Sequence, residues 1–252
     1  MPTGINYLNA LPGYKGETWN PVMGCTPCSP GCDNCWAQSM LRRYKQPTAV
    51  TCHPDRLDRP LHWRDPRFIG TCYMGDWCHP DVPGLFVADI LEVVRRCPQH
   101  IFLVLTKRAG RMAMFMKNWT GPKRVSEWAG RDLQVLRNLW LGVTICNQPE
   151  ADRNLPLLQA TPAAKRVISM EPQLEYIQWT ESLIRGLDWV IAGGESGPGA
   201  RRFRDEWPRS TRSWCQTHGV AFYYKQKPDP NRKGGVIHTP GLDGDPCTEV
   251  PE

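Results

Sequence analysis

The strongest constraint in this chain is a repeated alternation. Six short apolar runs (Arg67–Tyr73, Ile101–Thr106, Leu139–Ile145, Arg166–Met170, Asp188–Ala192 and Val220–Lys225) alternate with longer stretches able to form helices. The runs are rich in β-branched and aromatic residues and lack polar alternation, the pattern of strands buried on both faces of a parallel sheet. Helix-compatible segments are Trp36–Lys45, Pro83–Arg96, Trp128–Asn138, Pro149–Gln159 and Asp205–Thr217. In the second, Leu85, Ala88, Leu91 and Val94 recur at helical spacing. Alternating strand and helix predicts an α/β fold with parallel strands. So many units in 252 residues predict one domain over 1–252, a partial or complete parallel (β/α) barrel of six to eight strands. The Pro-, Gly- and Asp-rich stretch 228–252 is expected to be a loop-rich tail.

Composition narrows the function classes. Apolar residues make up 40% and charged residues 22%, enough for a packed core and unlike a disordered chain. No apolar run approaches the about 18 residues of a spanning helix, so no membrane segment is expected. The N-terminus lacks a basic-then-apolar signal pattern, which points to a cytoplasmic location. The net charge of +6 suits a nucleic acid or any mildly basic enzyme. Eleven cysteines cannot all pair internally, and without a signal peptide they point to metal or redox chemistry.

Four of these cysteines lie in Gly24–Trp36, GCTPCSPGCDNCW: Cys25, Cys28, Cys32 and Cys35. Three readings compete. A structural zinc site would use two C-x-x-C pairs, although zinc ribbons usually separate them by about 15–20 residues. Disulfides or reduced core thiols are the second. The third is an iron–sulfur cluster, whose usual protein ligands are closely spaced thiolates. Cys28, Cys32 and Cys35 have the C-x3-C-x2-C spacing that marks radical S-adenosylmethionine enzymes. Three ligands leave one iron of a four-iron (4Fe-4S) cluster open to S-adenosyl-L-methionine, and a barrel would orient the chemistry and exclude water. The seven remaining cysteines have no ligand spacing; Cys72, in an expected strand, and Cys146, at the end of one, are expected to act as small core hydrophobes.

Several longer blocks carry a resemblance. They are Thr18–Cys35, Leu57–Trp63, Leu105–Arg108 with Arg111 and Met112, Trp140–Val143, Ser169–Pro172, Asp188–Arg201 and Phe222–Gln226. Over nearly the whole chain these are similar to a phage-associated radical-SAM-type family long known only as a domain of unknown function. The family pattern has cysteines at Cys25, Cys32 and Cys35 and an apolar residue where this chain has Cys28. Spacing therefore favours Cys28 as the first ligand and the resemblance favours Cys25. The resemblance also implies a setting in phage-infected cells, with hypermodified thymidine in DNA as substrate and an electron donor as partner. The most specific activity it implies is an isomerase that converts N-linked to C-linked glycinylthymidine. The alternatives are a radical SAM enzyme on a free nucleotide, RNA or peptide, and a non-catalytic, zinc-stabilised nucleic-acid-binding module.

The expected strands end in polar residues, and in a parallel barrel those C-terminal ends line the active site. Lys107, Glu171, Glu195 and Lys225 are the candidate catalytic groups, as acids, bases or charge stabilisers. Asp76, in Met74-Gly75-Asp76-Trp77, is assigned to the methionyl amino group of the cofactor. Thr106, Thr144, Ser169, Gly194 and Ser196 are further candidate cofactor contacts, and Arg108 joins Thr106 and Lys107 as a carboxylate or phosphate holder. Arg201, Arg202 and Arg204 form a basic cluster suited to a DNA backbone. Trp19, Trp36, Trp77 and Trp140 are placed to stack on a base, although core packing is the commoner fate of tryptophan.

Overall fold

The computed structural model describes residues 3–118, 135–197 and 199–251. Its centre is one eight-stranded sheet, strongly curled into a half-barrel. In chain order the strands are β1 (Lys15–Trp19), β2 (Val22–Met23), β3 (Thr51–Cys52), β4 (Arg67–Thr71), β5 (Ile101–Thr106), β6 (Leu139–Thr144), β7 (Lys165–Met170), β8 (Trp189–Gly193), β9 (Ala221–Pro228) and β10 (Val236–His238). The sheet order is β1-β4-β5-β6-β7-β8-β9-β10, with β2 and β3 forming a separate antiparallel pair. Strands β1 through β9 of this sheet run parallel, and β10 returns antiparallel along β9. The barrel is therefore partial: β1 and β10 are its edges.

All six expected runs are strands of this sheet. The expectation missed two strands of this sheet, and the separate pair β2 and β3 as well. β1 (KGETW) is a short edge strand with a polar pattern, and β10 sits within the stretch expected to be loop. The helices are α1 (Trp36–Arg43), α2 (Gly84–Arg96), α3 (Ala109–Asn118), α4 (Gln148–Gln159), α5 (Glu181–Ile184) and α6 (Glu206–His218). Helix α3 and the short α5 were not expected. Residues 128–134 of the expected helix Trp128–Asn138 lie outside the described residues, and 135–138 are turn and coil leading into β6.

Successive strand residues point to opposite faces, and the two faces have different partners. On the outer face Ile69, Phe102, Val104, Leu141, Val143, Ile168, Val190 and Phe222 pack with Ile90 and Leu91 of α2, Met112 of α3, Leu155 of α4 and Cys215 of α6. On the inner face Phe68, Leu103, Trp140, Val167, Trp189, Ile191 and Tyr223 meet Tyr7, Leu8 and Leu11 from the N-terminal segment. A short 3-10 helix at Asn6–Asn9 thus fills the trough of the half-barrel, and Val250 of the tail packs against the same cluster.

Trp189 is the hub of that inner core. Its ring meets Tyr7 at 5.9 Å, Tyr223 at 6.2 Å and Trp140 at 6.2 Å, each edge-on. Its Nε1 donates to Glu249 O at 2.8 Å, so the one polar atom on the ring ties down the tail. Truncation of Trp189 to alanine is expected to cost about 3–5 kcal/mol. Chemical denaturation monitored by circular dichroism would measure it, and a loss under about 1 kcal/mol would remove Trp189 from this central role.

Candidate functional site

The C-terminal ends of the strands open into a cavity of about 390 Å³. Its lining includes all four clustered cysteines and every one of Asp76, Thr106, Lys107, Thr144, Ser169, Glu171, Gly194, Glu195, Ser196 and Lys225. Residues from distant parts of the chain converge because each parallel strand delivers its C-terminal end to the same rim. The geometry gives several of them particular partners.

The cysteine loop runs over the rim between β2 and α1. Ser29 Oγ accepts from Gly31 N at 3.1 Å and starts a short 3-10 turn at Pro30–Cys32; Cys35 is the N-cap of α1. A side chain on Gly31 would overlap the Cys146 sulfur, so glycine lets the loop sit directly on the end of β6. Cys146 is thus more than a core hydrophobe. Its sulfur lies 3.3 Å from Ser29 Oγ, and burial pushes its thiol up to about 12 against the pull of Lys107.

Two cations sit beneath the thiols. Burial alone would lower the Lys107 ammonium, but the surrounding sulfurs of Cys146, Cys32, Cys35 and Cys28 reverse this and raise it. Arg108 Nη1 lies 3.4 Å from Cys25 Sγ and 2.8 Å from Asp76 Oδ2. A hydrogen bond from Cys28 lowers Cys32 to about 5 despite its partial burial, while the same contact raises Cys28. Burial and Asp76 raise Cys25, with Arg108 opposing them. The donors are therefore thiols on one loop with fixed positive charge behind them, an arrangement that suits an anionic thiolate-ligated iron–sulfur cluster. Among the described residues, no three cysteine, histidine or carboxylate side chains are gathered into a group that could hold a single metal ion.

Asp76 has its oxygens committed within the protein. Thr106 Oγ1 donates to Oδ1 at 2.8 Å, Cys78 N donates to Oδ1 at 2.9 Å, and Arg108 pairs with Oδ2. Its geometry is that of a brace for Arg108, which also donates to Thr26 O at 2.9 Å and so holds the loop next to Cys25. The expectation that Asp76 receives a ligand amine did not foresee these internal partners.

Glu195 is likewise a fastener. Arg201 grips both carboxylate oxygens through its guanidinium and donates its backbone N–H to Oε2 at 2.8 Å; Asn34 Nδ2 donates to Oε2 at 3.0 Å. Burial would raise the Glu195 carboxyl, but the hydrogen bonds from Arg201 and Asn34 outweigh it and hold it below its ordinary value. Arg201 also reaches Asp33 at 3.2 Å and Pro30 O at 2.9 Å. The loop after β8 is thereby clamped to the segment that carries Cys32 and Cys35. Arg201 is committed to this clamp, leaving Arg202 and Arg204 as the exposed arginines of the basic cluster.

Glu171 and Lys225 form a third set on the cavity floor, with Nζ and Oε1 2.9 Å apart and Ser169 Oγ donating to Oε2 at 3.3 Å. Tyr7 and Tyr73 stand beside them, and Lys225 lies over the Tyr7 ring at 5.4 Å. Neither tyrosine was singled out from sequence. Of the four tryptophans, Trp19, Trp77 and Trp140 are buried core residues, and Trp36 lines the cavity at 46% exposure. Asn147, at the end of β6, caps α4 by accepting from Glu150 N at 3.0 Å.

The clamp makes a direct prediction. In the Arg201→Ala protein, thiols at Cys32 and Cys35 should be labelled by a maleimide roughly tenfold faster, equivalent to about 1.4 kcal/mol of local opening. Labelling of Cys215, on the buried face of α6, should not change. Equal rates at Cys32 and Cys35 in both proteins would show that the loop is held by other contacts.

No curated protein and no solved structure matches the chain in a similarity search. A family model described as "Protein of unknown function (DUF5131)" matches residues 10–247. The chain belongs to that family, DUF5131, which spans its half-barrel and its cavity from β1 to the tail.

Proposed function

We propose that this protein is a radical S-adenosyl-L-methionine enzyme, acting as an isomerase on a modified nucleobase in DNA. One observation carries the reading: a loop of four cysteines, backed by Lys107 and Arg108, closes over the strand ends of a parallel half-barrel and lines its cavity. Cys32 and Cys35, with Cys25 or Cys28, would hold a four-iron cluster. Cluster and S-adenosylmethionine together supply a 5′-deoxyadenosyl radical for hydrogen abstraction when both are bound.

The chain's own residues do the rest. Lys107 and Arg108 offset the negative charge that ligating thiolates bring to a half-buried site. Asp76 and Thr106 fix Arg108, and the Glu195–Arg201 clamp fixes the loop. Thr144, Ser169, Gly194 and Ser196 line the space left for a nucleoside-sized ligand. Lys225 and Glu171 are placed on the floor to donate and accept hydrogen bonds. Exposed Arg202 and Arg204 suit a phosphate backbone outside the mouth. The most specific activity is the rearrangement of glycinylthymidine from N-linked to C-linked: the bond from the thymidine methylene to nitrogen breaks, one to the glycyl α-carbon forms, and a hydrogen passes from that carbon to the nitrogen, at constant mass. No helix among the described residues is long and apolar enough to cross a membrane.

Anaerobic reconstitution with iron and sulfide tests this reading. The expected outcome is a brown protein that releases 5′-deoxyadenosine with dithionite and S-adenosylmethionine. With glycine-modified DNA, nucleoside digestion should give a species of unchanged mass and shifted retention. A colourless protein with stoichiometric zinc would overturn the reading. Iron per chain in Cys25→Ala and Cys28→Ala separately decides the first ligand: the variant that loses iron identifies it.

A further inference from the structure

The charges that line the cavity pair off, with one exception. Arg108 Nη1 lies 2.8 Å from Asp76 Oδ2, and Lys225 Nζ lies 2.9 Å from Glu171 Oε1. Arg201 grips Glu195. Lys107 also lines the cavity, half-buried. Among the described residues no carboxylate pairs with it and no hydrogen bond reaches it. The groups that act on its ammonium are the sulfurs of Cys146, Cys32, Cys35 and Cys28. Gly31 leaves it this place beside the loop, since a Cβ there would stand 3.5 Å from Lys107 Cε. An uncompensated ammonium in a half-buried space calls for an anion.

The sequence groups Lys107 with Thr106 and Arg108 as a holder of a carboxylate or phosphate. The structure commits those two neighbours elsewhere. Thr106 Oγ1 donates to Asp76 Oδ1 at 2.8 Å and accepts from Arg108 N at 2.9 Å. Arg108 is held by Asp76 and by Thr26 O. A carboxylate at Lys107 would therefore find a single donor among sulfurs, whereas thiolate-bound iron needs only the charge. We propose that Lys107 is the counter-ion of the iron–sulfur cluster held by this loop, and that its ammonium favours the reduced form. The proposal rests on the radical SAM reading above and deepens it. Reduction adds one electron, and so one negative charge, to a group that its thiolates already make anionic. Net charge is among the factors that set a cluster's potential. The field of Lys107 acts in full here because no carboxylate opposes it, while Asp76 opposes that of Arg108.

The test uses the full chain, reconstituted anaerobically with iron and sulfide and kept free of S-adenosylmethionine. It is titrated with dithionite and followed by electron paramagnetic resonance. Lys107→Met should make the cluster about tenfold harder to reduce, a midpoint about 59 mV lower for a one-electron couple. Lys107→Arg keeps the charge and should stay near wild type. Lys165→Met removes a cation at the opposite, N-terminal end of β7 and should change nothing. If Lys107→Met holds as much iron as wild type at an unchanged midpoint, the proposal fails and the radical SAM reading stands. Weaker S-adenosylmethionine binding in that same variant would then assign Lys107 to the cofactor's carboxylate. A wild-type protein that takes up zinc and no iron removes both. A second measurement needs no cluster. In the cluster-free full chain, Cys32 and Cys35 are reacted with dianionic dithiobis(nitrobenzoate) and with neutral dithiodipyridine, and labelling is mapped by mass spectrometry. An ammonium beside the sulfurs draws in the anionic reagent, and the ratio of the two rates sets aside changes in thiol reactivity common to both. Lys107→Met should lower that ratio several-fold. An unchanged ratio overturns the proposal even where the variant takes up no iron.

Discussion

Everything in this structure depends on covering the inner face of an open half-barrel. A closed barrel fills its interior with its own strand residues, but here β1 and β10 never meet. Leucine, phenylalanine and tryptophan side chains on the inner face would otherwise stand in water, at a cost of about 25 cal/mol for each Å² of apolar surface. The chain's two ends solve this. Tyr7, Leu8 and Leu11 enter from the N-terminus and Val250 from the tail, around the edge-on cluster of Trp189, Trp140 and Tyr223. That plug fills the trough, so the open volume remains at the C-terminal ends of the strands, bounded by the tyrosine that belongs to the plug itself.

The same arrangement sets the electrostatics of the rim. The cavity gathers more charge than a half-buried space tolerates unless each group has a partner. Asp76 is spent on Arg108, Glu195 on Arg201, and both arginines reach back to the cysteine loop. Two of the candidate carboxylates, Asp76 and Glu195, are thus tied to arginines that hold the loop. Lys107 faces the sulfurs, and Glu171 with Lys225 faces the deeper space. The cavity divides into a thiol-rich mouth and an acid–base floor.

Much of this was legible from residues. Strands buried on both faces write themselves as continuous apolar runs, which is why β4 through β9 were all anticipated. β1 escaped because KGETW is an edge strand with a polar face, and β10 because its three residues sit among prolines and glycines. Helix α3 follows the Leu105–Arg108 block at once and carries Gly110 in its first turn, which weakened its helical pattern. In the site, Cys25, Cys28, Cys32, Cys35 and the ten other candidates converge because strand-end position is a linear property of the chain. Tyr7 and Tyr73 were missed because neither lies in a polar strand-end motif; one comes from the N-terminal plug and the other just past β4.

Local patterns along the chain set the α/β alternation, the parallel strands, the clustering of four thiols and the polar residues that meet at one rim. Each segment carries its pattern alone. How those residues are partnered follows from contacts between distant segments. Whether Glu195 is free or clamped depends on Arg201 and Asn34, and Asn34 lies far away in the chain. Whether Asp76 can take a ligand depends on Arg108 from another strand end. Which tryptophan lines the cavity depends on packing between elements. Pairing across long sequence separations leaves no local trace, and here it decides which rim residues are tied to one another.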